Sequence, residues 1–229
     1  WLGSAAHVPS SRRYCPGSWR GWFEFGNGAL GDWFCHHADA PYTALDLDCP
    51  RLVAVESTGP TRLSFPKSAK LTFTFPATAA RGEVRIHWHQ GEAYQLARPA
   101  ELAEGRQMGN NGGGTLVIGS KATVMTGSHA GVPRIIPETK MQEMARDMPR
   151  PNVRRSSHWD NWLLAITGEE TGRSNFAYGG RLTEAMQFGN IALHLNRNLK
   201  IDPETRTIIG DEEATRMISH PAPRAAWRV

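Results

Sequence analysis

Cysteine is scarce in this chain, with Cys15, Cys35 and Cys49 the three among 229 residues. An odd number without CxxC spacing excludes both a disulfide framework and a zinc ribbon, so burial as small apolar side chains is the expected fate. No apolar run comes near the roughly 20 residues that cross a bilayer, and no membrane partner is expected. The opening WLGSAAHVPSSRRY lacks a charged stretch followed by an apolar one, so no signal peptide is visible. It starts with Trp instead of Met, which points to upstream sequence that has been removed. A cytoplasmic setting is favoured, and a periplasmic one stays open should a leader have been cleaved. Excess charge of one sign is also small: 26 Lys and Arg stand against 22 Asp and Glu, a net charge of +4. The basic residues are spread along the chain, with only short clusters such as Arg150, Arg154 and Arg155. A nucleic-acid groove concentrates them with interleaved aromatics, so no nucleic-acid partner is expected.

What is present reads as globular. Hydrophobic residues make up 40% and charged residues 21%, which argues against disorder and coiled coil. Residues 1–27, rich in Gly, Pro, Ser, Arg and Trp, show no sustained period and read as an irregular arm anchored by aromatics. From 28 to about 47 the pattern turns helical, with Leu30, Phe34, His37, Pro41 and Leu45 at three- and four-residue spacing and a break or kink expected near Pro41. Strand patterns follow at LVAVES (52–57), RLSF (62–65), KLTFTF (70–75) and EVRIHWH (83–89). A loop over 90–113 leads to TLVIGSKATVMTG, a hairpin turning at Gly119-Ser120-Lys121, and then PRIIPE. Ser157, with Asp160 three residues on, caps a predicted helix that ends at Gly168, whose apolar positions are Trp159, Trp162, Leu163 and Ile166. A second late helix covers about 181–195, and Asp211 caps a short third. The expected fold is one α+β domain over 1–229. An open, mostly antiparallel sheet from strands between about 52 and 136 is flanked on one face by the helices near 28–47, 157–167 and 181–195.

The most suggestive chemistry lies in GALGDWFCHHADAPYTALDL. Asp32, His36 and Asp39 fall at i, i+4 and i+7 and share one helical face. A carboxylate one turn from an imidazole can orient it and fix its tautomer, which suits an acid/base group near neutral pH. Spacing alone favours the plainer reading, a His hydrogen-bonded to local carboxylates at a helix–sheet interface. A metal site of the same trio has no further support. His87 and His89 point the same way on a strand, which fits a binding pair or, more simply, a solvated strand face. The run Asn110-Asn111-Gly112-Gly113-Gly114 lacks the strand–GxGxxG–helix context of a phosphate loop and reads as a turn. Trp19, Trp22 and Trp33 read as a sugar-stacking cleft or as anchors of the arm.

WRGWFEFGNGALGDWFCHHADAPYTALDL (19–47) resembles the start of the C-terminal domain of Gfo/Idh/MocA-type oxidoreductases, in their bacterial subgroup. The likeness continues through IHWHQGE, GGTLVIGSKA, PRIIPE, SSHWDNWLLAITG and NFAYGGRLTEAMQFGNIALHLNRNLKIDPET, in the family's order and over nearly the whole chain. The resemblance implies an α/β unit with an open, mostly antiparallel sheet that shapes a sugar or polyol site and forms a homo-oligomer interface. It also implies an NAD(P)-binding Rossmann domain in full-length members. Asp32 and His36 match the family's Asp-x-x-x-His pair, in which His is the acid/base toward a substrate hydroxyl and Asp helps to place the catalytic groups. Asp39 matches the acidic residue that follows, and Tyr178 matches by position the stretch leading into the helix behind the site. Trp22, Asp39 and Tyr178 are thus candidate substrate-binding residues.

The departures are as informative. No GxGxxG follows a strand, no acidic residue is placed for a ribose, and the family's EKP lysine is missing, so this chain by itself is expected to bind no cofactor. Phe34 stands where the subgroup usually has Gly, beside the catalytic pair, where its ring is expected to intrude on the substrate or nicotinamide space or else to fill core. Three functions remain open: the substrate half of an NAD(P)-dependent sugar or polyol oxidoreductase, a cofactor-independent acid/base enzyme on carbohydrate-like substrates, and a non-catalytic oligomerisation module.

Overall fold

The computed structural model describes residues 2, 3, 5–61, 63–110, 113–148 and 156–219. In chain order the elements are α1 (Gly28–Ala44), β1 (Leu52–Ser57), β2 (Ala69–Phe75), β3 (Val84–Gln90), β4 (Gly114–Ile118), β5 (Thr123–Gly127), β6 (Arg134–Ile136), α2 (Glu138–Ala145), α3 (His158–Thr167), α4 (Phe176–Leu195), β7 (Leu199–Asp202), β8 (Thr207–Ile208) and α5 (Glu212–Arg216). The content is α+β and every strand pairing is antiparallel, as expected for this class. The residues fall into two compact units, one of Trp1–Ala97 with Thr183–Val229, the other of Arg98–Leu182.

The first unit is built on a sheet of order β3-β2-β1-β7-β8. Register puts Val53 opposite both Phe73 and Leu199, and Phe73 opposite Ile86, so these share one face. Against that face α1 lays Leu30, Phe34, Ala38 and Tyr42, four residues apart and all buried. Phe34 meets Phe73 at 5.2 Å and Trp88 at 6.0 Å between centroids, and Tyr42 meets Phe75 edge-on at 5.7 Å. The α4 residues from Thr183 onward join the same face. Gly189 permits it: a Cβ there would lie 2.7 Å from both Leu30 and Phe73. Arg206, at the turn between β7 and β8, donates two 3.0 Å bonds to Asp48 and another to Glu184, tying that hairpin to the segment after α1 and to α4. The helix does not break at Pro41 but runs on to Ala44, with the Leu45 N–H donating to the Pro41 carbonyl at 3.0 Å.

Several expectations need correction here. The strands between 52 and 136 do not make one sheet: β4, β5 and β6 form a separate three-stranded sheet in the second unit, and β7 and β8 complete the first. Residues 63–65 of RLSF form no strand. The Thr61 N–H donates to the Ser64 carbonyl and Thr61 Oγ1 accepts from the Ser64 N–H, closing a tight turn that leaves Ser64 an isolated bridge to Trp22. Position 62 lies outside the described residues. Among the cysteines, Cys49 is buried as expected, but Cys15 and Cys35 are exposed.

In the second unit, Leu102, Met125 and Ile136 form a small core with Met108 and Leu116 packed against it. The β4–β5 hairpin turns where expected, with the Gly119 N–H donating to the Ala122 carbonyl at 3.0 Å. Helix α3 has the expected ends. Ser157 Oγ accepts from the Asp160 N–H at 3.1 Å, and Gly168 closes it with φ 80°. Its orientation is the reverse of the expected one. Trp159, Trp162, Leu163 and Ile166 are all more than half exposed, while Asn161 is buried. Asn161 decides this. Its amide donates to Glu170 Oε2 and the Thr171 carbonyl and accepts from the Arg173 N–H, which pins the polar side of the helix to the following loop.

Candidate functional site

The residues singled out on α1 project from the side of that helix opposite its buried stripe. With 100° per residue, Leu30, Phe34, Ala38 and Tyr42 define one side, and Asp32, His36 and Asp39 occupy the other. Asp32 and Asp39 are exposed and His36 is half-buried. The sequence pattern therefore does bring these three onto one face, within the first unit.

The partner that the structure gives Asp32 was not foreseen. Its Oδ1 accepts from Arg20 Nε at 3.1 Å. Arg20 sits in a short 3-10 turn, Ser18–Gly21, within the irregular arm. Its Nη1 donates to the Gly17 carbonyl at 3.3 Å, and its guanidinium lies 4.9 Å from the centroid of the Trp19 ring. The arm is tied down locally. The Phe23 N–H donates to the Leu63 carbonyl and the Phe65 N–H to the Gly21 carbonyl, each at 3.0 Å. No spacing rule links residues 20 and 32, since one lies in an aperiodic arm and the other in a helix.

His36 meets the edge of Trp33 at 5.7 Å between centroids. On its other side Trp33 stacks on His37 at 5.7 Å and 27°, and His37 meets Trp88 at 5.9 Å. The arm tryptophans are engaged separately. Trp22 Nε1 donates to the Arg13 carbonyl at 3.2 Å and its ring packs edge-on to Tyr14 at 5.1 Å, so Trp22 is placed as an anchor of the arm. Tyr178 belongs to the second unit, in the first turn of α4, where its N–H donates to Asn175 Oδ1 at 3.0 Å. Phe34 is buried to within 1% and is core.

His87 and His89 share the sheet face that points away from α1, and each has a local partner. His87 Nδ1 lies 2.9 Å from Thr72 Oγ1, and His89 Nδ1 lies 2.9 Å from the Tyr94 carbonyl. Burial pushes the His87 pKa down, and the nearby Lys70, His89 and Arg85 charges push it the same way. Among the described residues, no three His, Cys, Asp or Glu side chains are grouped to hold a metal ion, and no helix is long and apolar enough to cross a membrane. Two surface hollows, one beside Ile208, Asp211 and Thr215, the other beside Leu2, Val8 and Tyr14, are lined by none of the α1 candidates.

A dinucleotide needs a parallel strand that delivers its chain, through a glycine turn, to a helix N-terminus. Among the described residues every strand pairing is antiparallel. Strand β6 enters α2 through Pro137, which has no N–H to offer, and Glu138 stands in the first turn where a pyrophosphate would sit. In the glycine-rich stretch, Asn110 and Gly113 form a local bridge and open no helix. Neither of these two stretches has the parallel strand and glycine turn of a dinucleotide-binding fold.

Comparison with known proteins adds one finding, on the second half of the chain. Residues 107–229 match the family model described as "Oxidoreductase family, C-terminal alpha/beta domain", of the Gfo/Idh/MocA type. The match begins after α1, so the α1 residues lie outside it. No curated protein matches the chain.

Proposed function

Since the chain belongs to the Gfo/Idh/MocA-type oxidoreductase family, we propose that it is the substrate-binding half of a sugar- or polyol-type NAD(P)-dependent oxidoreductase whose cofactor is held by a separate Rossmann domain. The observation that carries this reading is the presentation of Asp32, His36 and Asp39 together on the α1 face turned away from the core. His36 takes and returns a proton at a substrate hydroxyl oxygen, a task suited to an imidazole near neutral pH. Asp32 and Asp39, each acceptor-only when ionised, receive substrate hydroxyls.

The sheet face that points away from α1 is proposed as a surface for homo-oligomer formation. Register gathers Ala54, Thr72 and His87 there, with the Glu56–Lys70 pair at 2.9 Å beside them. It combines small and polar side chains that another copy of the same face can meet across a two-fold axis.

A second reading is cofactor-independent acid/base chemistry on a carbohydrate-like substrate, supported by the antiparallel pairing of all the described strands, which offers no parallel strand for a dinucleotide fold. Turnover of a sugar and polyol panel by the full-length gene product, with and without NAD+ or NADP+, separates the two. The oxidoreductase reading expects turnover only with nicotinamide, and His36→Ala should lower it by about 10²- to 10⁴-fold. Nicotinamide-independent turnover would move the assignment to the second reading. A fully active His36→Ala would remove His36 from both.

A further inference from the structure

We propose that α3 is a surface for weak self-association, through which two copies of this chain pair antiparallel by its outward apolar stripe. This surface is separate from the outer sheet face of the first unit. The helix is held from behind by polar bonds alone. Asn161 ties it to Glu170, Thr171 and Arg173. Ser156 Oγ donates to Glu170 Oε2 at 2.7 Å, and Arg173 Nη2 donates to the Ser156 and Ser157 carbonyls at 2.7 and 3.2 Å. With Ser157 and Gly168 closing its ends, the helix is fixed before any partner arrives, so pairing orders little new chain. Its outward side is wholly apolar. At 100° per residue, Trp159, Trp162, Leu163 and Ile166 fall within about 100° of arc. Asp160, the one carboxylate in α3, lies beside the stripe, where its Oδ2 accepts from Ser157 Oγ at 2.6 Å.

Area and residue order identify the occupant as a second copy. Trp159 and Trp162 are 74% and 63% exposed, and Leu163 and Ile166 are 54% and 65% exposed. Tryptophans so exposed present about 170 Å² each and the aliphatic side chains about 80 Å² each, on the order of 500 Å² together. That matches the largest apolar patch of a typical monomer, which is often a functional one. Two such faces in contact bury about 1,000 Å², the lower limit for a specific interface and the range of transient ones. The stripe is also complementary to itself. Its two rings come first and its two aliphatic chains last, so its midpoint falls between Trp162 and Leu163. A two-fold axis there sets Trp159 against the second copy's Ile166, and Trp162 against the second copy's Leu163. Each ring then meets an aliphatic chain instead of another ring, so the rows interdigitate, and the opposed helix dipoles attract. A parallel pair would set ring on ring and align the dipoles.

Sedimentation equilibrium of Ala54→Arg, which blocks the outer sheet face, reads α3 by itself. This variant should be mostly monomer at about 5 µM and mostly dimer at about 500 µM, as for a transient contact with a dissociation constant on the order of 50 µM. Adding Trp162→Asp should keep it monomeric at both concentrations. The substituted side chain is exposed, so circular dichroism should not change. Trp159→Lys and Ile166→Glu, each made in the Ala54→Arg chain, should likewise abolish pairing. Mixing these two chains should strengthen association about tenfold over either alone, because the antiparallel register brings the two positions together. Should Ala54→Arg fail to fold, the native chain gives the same comparison: Trp162→Asp should lower its mass at the higher concentration and leave it unchanged at the lower. A monomer at the higher concentration, or a dimer that survives Trp162→Asp, would overturn α3 pairing and leave the sheet face as a separate question. Mixed chains that fail to associate would overturn the antiparallel arrangement. Should Trp162→Asp destabilise the full-length gene product at the lower concentration, another of its domains occupies the stripe and self-pairing fails.

Discussion

Replacing Phe34 by Ala distinguishes a core position from an obstructed pocket. Phe34 is 1% exposed and its ring lies 5.2 Å from Phe73 and 6.0 Å from Trp88. A Phe side chain buries on the order of 200 Å² of apolar surface, which at about 25 cal/mol per Å² sets an upper bound near 5 kcal/mol. Alanine keeps part of that burial, while the lost ring contacts and the cavity add to the cost, so the loss should be about 4 kcal/mol. Urea unfolding followed by circular dichroism reads this directly. With a slope of about 2 kcal/mol per M, the midpoint should fall by about 2 M at unchanged slope. Titration of wild type and variant with myo-inositol reads the competing idea. A loss below about 1 kcal/mol together with tighter polyol binding would show that Phe34 blocks a pocket, and the packing argument would fail.

The proposed self-association predicts a mass of at least twice 25.3 kDa by multi-angle light scattering, reduced to the monomer by Ala54→Arg on the outer sheet face; a monomeric wild type at micromolar concentration would refute it. Acid should destabilise the fold before the carboxylates titrate. Burial, with His194 packed 3.8 Å from Phe23, pushes the His194 pKa below its usual 6.5 against the opposing pull of Glu213 and Glu24, and His87 is lowered too. A lowered histidine favours the fold above its unfolded pKa, and that contribution is lost as pH falls from about 6.5 through the folded value. The urea midpoint should therefore be lower at pH 5 than at pH 7.5, with a smaller difference in His194→Gln; an unchanged midpoint would contradict the assignment. Finally, burial pushes the Cys49 thiol up to about 12, with Glu184 adding to the shift and Arg206 opposing it, while Cys15 and Cys35 are exposed. A thiol reagent at pH 8 should thus modify two cysteines in the native protein and the third only on unfolding, and equal reactivity of all three would refute the burial of Cys49.

Much of the architecture was legible in the sequence because its causes are local. Of the apolar positions read on α1, Leu30, Phe34 and Pro41 are buried and give the helix its inward side, with Asp32, His36 and Asp39 together on the other, whereas Ala38 and Tyr42 complete the buried stripe in place of His37 and Leu45. Ser157 and Asp211 cap their helices through bonds to the N–H three residues on, a reach set by backbone geometry alone. Alternation placed Arg85, His87 and His89 on one sheet face, and the family assignment followed from motifs in order. Tertiary structure decided the rest, where the deciding contacts are distant in sequence. Residues 199–202 and 207–208 are too short to announce themselves as strands; the first is recruited by pairing with β1 and the second by pairing with the first, while Ser64 of RLSF is left as an isolated bridge. The apolar stripe of α3 faces outward because Asn161 bonds a loop beyond the helix, which overrides periodicity. Arg20 reaches Asp32 across twelve positions of aperiodic chain. Periodicity fixes which side of an element a residue occupies, but only the folded chain brings a side chain from an irregular segment to its partner, because such a meeting depends on how the intervening backbone packs.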